Sequence, residues 1–162
     1  MVILKPKGFG IAELMPPETL KSLGEEACWK RLHPNLLLTL DQLKKFFGYS
    51  MIINTWSFKN WQKFGSGKDP YRYRCYRPVG CGVGAVNGAH YKGLGVDIDF
   101  YKDGVLIPAN IMRKSIITNR DKFNLIKGLE DKVSWCHVDC LDRGGKLGKI
   151  CLFDAKNKVT WI

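Results

Sequence analysis

The residues of this chain best suited to chemistry sit in two short runs. The first, Asn87 to Phe100, reads NGAHYKGLGVDIDF and carries His90 and Asp97; the second, WCHVD, has His137 at its centre. Imidazole nitrogens and a carboxylate oxygen are donors that zinc accepts, and three protein ligands leave the fourth tetrahedral position open for water or a substrate oxygen. His90, Asp97 and His137 are therefore expected to bind one zinc ion in a catalytic arrangement. Taken singly, each has a plainer reading: a hydrogen-bonded core histidine, or an aspartate paired with a lysine.

Such a site needs elements that bring distant residues together. From Gly93 to Tyr101 the residues alternate, with Val96, Ile98 and Phe100 on one face and Gly95, Asp97, Asp99 and Tyr101 on the other. This is the pattern of a half-buried strand, and it turns Asp97 away from the core. His90 falls in the loop entering that strand, among Gly88, Ala89, Gly93 and Gly95, small residues that permit close approach. His137 and Asp139 share one face of a second predicted strand, Ser134 to Leu141, with Trp135 on that face as well. Asp139 is placed to hold a ligand's second ring nitrogen or to anchor the neighbouring loop.

The other elements follow from periodicity and punctuation. Pro16, Pro17 and Glu18 suit the start of a helix running to about Leu32, divided or loosened at Gly24. His33 and Pro34 break the chain, and Asn35 is placed to cap a second helix. Leu36, Leu40, Leu43 and Phe47 form its apolar stripe, and Gly48 ends it. MIINTW, residues 51–56, predicts a buried strand. The irregular stretch SFKNWQKFGSGKDPYRYR predicts a surface loop whose Trp61, Phe64, Tyr71 and Tyr73 either line a substrate groove or pack beneath the loop. Lys102-Asp103-Gly104 is a tight turn, and Pro108 to about Ile117 a short helix. Strands at about Phe123 to Gly128, Ile150 to Phe153 and Val159 to Ile162 are joined through Arg143-Gly144-Gly145 and Asp154-Ala155-Lys156-Asn157. Short turns between late strands favour antiparallel pairing.

With 162 residues, 45% of them hydrophobic, the chain fits one folded domain over 1–162: a helical segment at 1–34, the site-bearing region at 35–141 and C-terminal strands at 142–162. Its formal charge of +11, from 26 Lys and Arg against 15 Asp and Glu, is spread over both halves of the chain and points to a polyanionic partner. Nucleic acid, an anionic membrane and an anionic wall polymer all satisfy that charge, which by itself is also that of any soluble surface. The opening MVILKPKGFG has too short an apolar run for a signal peptide, and no stretch is long and apolar enough for a membrane span. The expected location is the cytoplasm of the producing cell, or release by a route other than secretion. The six cysteines are then expected to be reduced thiols, with a disulfide or a second, structural zinc at Cys75/Cys81 and Cys136/Cys140 as the alternatives.

The run N-G-A-H-Y-K-G-L-G-V-D-I-D, with W-C-H-V-D downstream and Y-R-C-Y-R-P upstream, resembles the D-alanyl-D-alanine carboxypeptidase-type zinc peptidases, which share a fold with the hedgehog signalling domain. Their pattern is Ser-x-His-x-x-Gly-x-Ala-x-Asp followed by Trp-x-His. Ile53-Asn54-Thr55-Trp56 and Arg74-Cys75-Tyr76-Arg77 resemble two further stretches of the phage and prophage members. The resemblance implies an α+β fold, with a small antiparallel sheet carrying the zinc site and helices packed on the other face. It implies His90, Asp97 and His137 as the ligands of one zinc ion. It also implies hydrolysis of peptide bonds in bacterial peptidoglycan, as carboxypeptidase or endopeptidase, in an endolysin-like role. Peptidoglycan peptides are the expected partners, with other virion proteins if the chain belongs to a bacteriophage particle; nucleic acid rests on charge alone and is not expected.

Two departures from the pattern matter. Many relatives carry a catalytic acid where this chain has Ser134, and Gly88 stands where relatives have a serine that can bond substrate. Hedgehog-type members place an acid slightly earlier, which makes Asp131, and after it Glu130, the expected general base. Arg77 and Arg74 are placed by the resemblance to pair with a substrate carboxylate. The missing acid at Ser134 favours the rival reading, an inactive zinc-binding or wall-binding module of a phage particle.

Overall fold

The structure is a computed structural model that describes residues 4–65, 70–145, 148–156 and 158–162. Among the described residues five α-helices accompany one seven-stranded sheet, an α+β architecture. The helices are α1 (Ile11–Leu14), α2 (Pro17–Leu23), α3 (Glu25–Arg31), α4 (Pro34–Phe47) and α5 (Ala109–Thr118). The strands are β1 (Ser50–Ile52), β2 (Gly95–Lys102), β3 (Val105–Ile107), β4 (Gly128–Glu130), β5 (Cys136–Asp139), β6 (Cys151–Phe153) and β7 (Val159–Trp161). Among these residues no helix is long and apolar enough to cross a membrane.

The sheet runs β1-β2-β5-β4-β6-β7, with β3 paired to β2. Every pair is antiparallel except β4 with β6, which is parallel and so departs from the all-antiparallel expectation. The chain leaves β4 for β5 and reaches β6 only after the 140–150 segment, and a connection of that length lets a strand return in the same direction.

The apolar face of β2 meets the helices. Val96, Ile98 and Phe100 join Leu36, Leu40 and Leu43 of α4, Met112 and Ile116 of α5 and Val138 of β5 in one core. Each such side chain contributes about 1.5–3 kcal/mol by leaving water. That face is fixed by the strict alternation of β2, because a slip of one residue would drive Asp97 and Asp99 into the leucines.

Several boundaries differ from expectation. Gly24, at φ +76°, separates α2 from α3. His33, not Asn35, is the N-cap of α4: its Nδ1 accepts from the Asn35 backbone N–H at 3.2 Å. The strand expected over 51–56 stops at Ile52. The stretch 123–127 is irregular, and only Gly128–Glu130 pairs. Asp103 (φ +52°) and Gly104 (φ +80°) form the two-residue turn between β2 and β3, the left-handed pair a twisted hairpin requires. The six cysteines are free thiols. Part of the predicted 57–74 loop (66–69) and Asn157 of the predicted final turn lie outside the described residues.

Candidate metal centre

The sheet register assembles the site. On β2 and β5 Asp97 lies opposite His137 and Gly95 opposite Asp139. On the next strands Gly128 lies opposite Asp139 and Cys151, and Glu130 opposite Phe153. Phe153 in turn faces Val159. One face of the sheet thus presents a row running from Asp97 through His137, Glu130 and Phe153 to Val159. His90 arrives from the loop above. Leu94 N–H donates to the Ala89 carbonyl at 2.8 Å, and a Cβ on Gly95 would lie 2.9 Å from that of Ala89, so the loop packs directly on the strand.

Hydrogen bonds fix the state of each ring. His90 Nδ1 lies 2.8 Å from the Cys75 carbonyl oxygen, which can only accept. Nδ1 therefore carries the proton, and the lone pair of Nε2 points inward. His137 Nε2 lies 3.0 Å from Asp139 Oδ2. Asp139 is also gripped by Arg143, whose two terminal nitrogens each lie 2.7 Å from a carboxylate oxygen. Asp139 is thus a carboxylate, Nε2 donates to it, and Nδ1 of His137 faces inward.

Three inward atoms meet. His137 Nδ1 is 2.7 Å from Asp97 Oδ1 and 3.2 Å from His90 Nε2, and His90 Nε2 is 3.3 Å from Asp97 Oδ1. His90, Asp97 and His137 are each buried, and their ligand atoms lie within 4.8 Å of one another, so this group could hold a metal ion. The chemistry of the donor set fits that role: three electron-rich atoms aimed at one point repel unless a cation, proton or metal, stands between them.

The charges respond accordingly. Burial favours a neutral Asp97, but His90 and His137 outweigh it and hold the carboxyl well below the usual range. Burial would lower His137, yet its bonds to Asp139 and Asp97 raise it from 6.5 to about 9. Asp139 is held at about 2, because His137 and Arg143 overcome its burial.

The group opens on a cavity of about 750 Å³ lined by Arg77, Glu130, Trp135, Arg143, Phe153 and Val159 among others. Glu130 lines it, and burial pushes its carboxyl above the ordinary range. Asp131, expected ahead of Glu130, is not brought there. It follows the end of β4, is 40% exposed, and lies 3.6 Å from Arg113 Nε. Successive residues alternate sides, so only one of the two acids can face the cavity.

The two arginines also part. Arg77 lines the cavity, donating to Asp97 Oδ2 at 3.2 Å and to the Tyr73 carbonyl at 2.6 Å. Arg74 does not line it; it lies 3.3 Å from Asp99 Oδ2, with its guanidinium 3.6 Å from the centre of the Tyr71 ring. Trp61, Phe64, Tyr71 and Tyr73 are not among the described lining residues. Phe64 packs on Phe58 and Tyr101, and Tyr73 packs on Trp56.

Arg143 is the residue that sequence reasoning missed, having read it as part of a glycine-rich connection. A signal was present in Gly128, a glycine inside a strand. A Cβ there would come within 2.6 Å of both Arg143 and Asp139, so only glycine leaves room for their bidentate pair. Comparison with known proteins matches no family model, no curated protein and no solved structure.

Proposed function

We propose that this chain is a zinc-dependent peptidase acting on the peptides of bacterial cell-wall peptidoglycan, in an endolysin-like role. One observation carries the reading: two imidazole nitrogens and a carboxylate oxygen converge beside a cavity that Glu130 also lines. Two histidines and one carboxylate are a donor set of catalytic zinc. The separations of 3.2 and 3.3 Å approach the ~3.3 Å between vertices of a tetrahedron with zinc–ligand bonds of ~2.0–2.1 Å; the third, 2.7 Å, is shorter. The motif resemblance and the +11 charge, which favours dwelling on an anionic wall, support the substrate class.

Bound zinc would supply Lewis acidity toward a carbonyl oxygen and lower the pKa of a water molecule. Glu130 accepts a proton from the attacking water as the new C–O bond forms, then returns it to the amine nitrogen as the C–N bond breaks. Its raised pKa suits both halves of that exchange. Asp139 and Arg143 hold the His137 ring, the Cys75 carbonyl holds the His90 ring, and Arg77 holds Asp97.

The test is incubation of the zinc-loaded protein with peptidoglycan fragments. New amino groups should appear, disappear with a chelator and be absent from His137→Ala. Binding to the wall without release of amino groups would sink the enzyme reading in favour of a wall-binding module.

A further inference from the structure

We infer that the chain has a second binding site outside the metal cavity: a basic groove around Arg120, Lys127 and Lys149 that holds a phosphodiester-linked anionic polymer of the cell wall. The choice of a wall polymer rests on the peptidase reading; the anion site itself does not.

Two depressions make the groove. The larger, of about 260 Å³, is lined by Arg120, Asp121, Phe123, Ile126, Lys127 and Lys149 among others. The smaller, of about 90 Å³, is lined by Lys127, Asp142, Arg143, Lys149 and Trp161 among others. Lys127, Gly148 and Lys149 belong to both, so the two are continuous.

The cations here differ from those of the metal cavity. Arg77 and Arg143 each pair with a buried aspartate. Among the described residues Arg120, Lys127 and Lys149 form no ion pair. Of the carboxylates that line the groove, Asp121 is neutralised by Lys122 at 2.8 Å, which leaves Asp142 against three cations. Like charges around one depression repel until an anion stands among them.

Shape narrows the chemistry. Phe123, Ile126 and Ile150 are buried beneath the larger depression, while Lys127 and Lys149 stand where it joins the smaller. The smaller has room for a few water molecules, the size of one compact anion. A chain that alternates phosphates with uncharged polyol units matches that alternation of cationic and apolar wall.

Position decides the partner. The Lys127 backbone N–H donates to the Asp139 carbonyl at 2.8 Å, and Arg143, which grips Asp139, lines both the small depression and the metal cavity. The groove and the cavity therefore lie back to back. A wall polymer held in one keeps the stem peptides of the same wall at high local concentration beside the other. Nucleic acid would bring no substrate with it.

Calorimetry on the full chain with soluble poly(glycerol phosphate) at low salt tests this. The wild type should bind. Lys127→Gln/Lys149→Gln should bind at least about tenfold more weakly, each lysine beside an anionic partner being worth several-fold. Lys21→Gln/Lys63→Gln removes the same charge from exposed residues outside the groove and should stay within about twofold of wild type. Equal losses in the two variants would mean that only diffuse charge is at work and would overturn the inference. No binding, or tighter binding of duplex DNA than of the polymer, would overturn it as well. Hydrolysis of a soluble stem peptide by the zinc-loaded proteins is read separately and should be the same in Lys127→Gln/Lys149→Gln as in wild type. Polymer binding without any hydrolysis would sink the peptidase reading and leave the anion site standing.

Discussion

Strand β2 carries two buried aspartates on one face, two residues apart, and each has an arginine. Asp99 with Arg74 and Asp97 with Arg77 lie at 3.3 and 3.2 Å. The sequence around them looks alike, yet one rung is closed and the other open. The Tyr71 ring covers Arg74 and its hydroxyl bonds to Asp99, and neither Asp99 nor Arg74 is among the described residues that line the cavity. Asp97 faces His137 across the sheet and His90 from the loop, beside a cavity. A buried ion pair is thus architecture by default; it becomes a candidate site only where further donors converge on the same oxygen.

Substituting the two aspartates separates the rungs most sharply. Asp97→Asn should abolish chelator-sensitive hydrolysis of peptidoglycan fragments, whereas Asp99→Asn should retain it. Loss of activity in both would mean that the Asp99 rung is also part of the chemistry. Glu130→Gln should lower kcat about 10²- to 10⁴-fold with metal retained, the usual worth of a positioned acid or base, and Asp131→Asn should leave it near wild type. The reverse order would restore Asp131 as the base.

The closed rung has its own readout. Asp99→Asn leaves Arg74 buried without a counter-charge, and chemical denaturation should show a loss of about 3–5 kcal/mol. On the open rung, Asp139→Asn removes the acceptor that orients His137 and should weaken metal binding about 10- to 100-fold. No change in affinity would show that Arg143 and Asp139 serve folding alone.

The smallest effect is graded with pH. In the metal-free protein His137 holds its proton up to about pH 9, above its ordinary 6.5. That imidazolium therefore stabilises the metal-free fold fully below about pH 6.5 and ceases to as pH rises through about 9. A metal must displace the same proton, so its affinity should climb about tenfold per pH unit toward pH 9, with one proton released on binding. A flat affinity between pH 7 and 9 would contradict a protonated His137.

Much of the open rung was legible in the sequence. The alternation of Val96, Ile98 and Phe100 with Asp97 and Asp99 states which side faces the core, and one antiparallel register then sets Asp97 against His137. The choice between Glu130 and Asp131 was not legible, because it depends on where β4 ends. That end is set by parallel pairing to β6, a partner far along the chain whose direction no local pattern encodes. By motif Arg77 was the stronger candidate and Arg74 the weaker, and the structure separates them further, Arg77 at the cavity on Asp97 and Arg74 on Asp99. Arg143 was hidden in a turn; Asp139 was legible as a support for the site, but its pairing with Arg143 shows only in the bare Cα of Gly128.

His90, Asp97 and His137 are either ligands or a hydrogen-bonded polar cluster, and the proposed function requires the first. Metal content per chain, measured on the wild type and on His137→Ala after identical dialysis against zinc-containing buffer, tests it most directly. About one zinc per wild-type chain and close to none in the variant is the expected result. Equal content in the two proteins would contradict it.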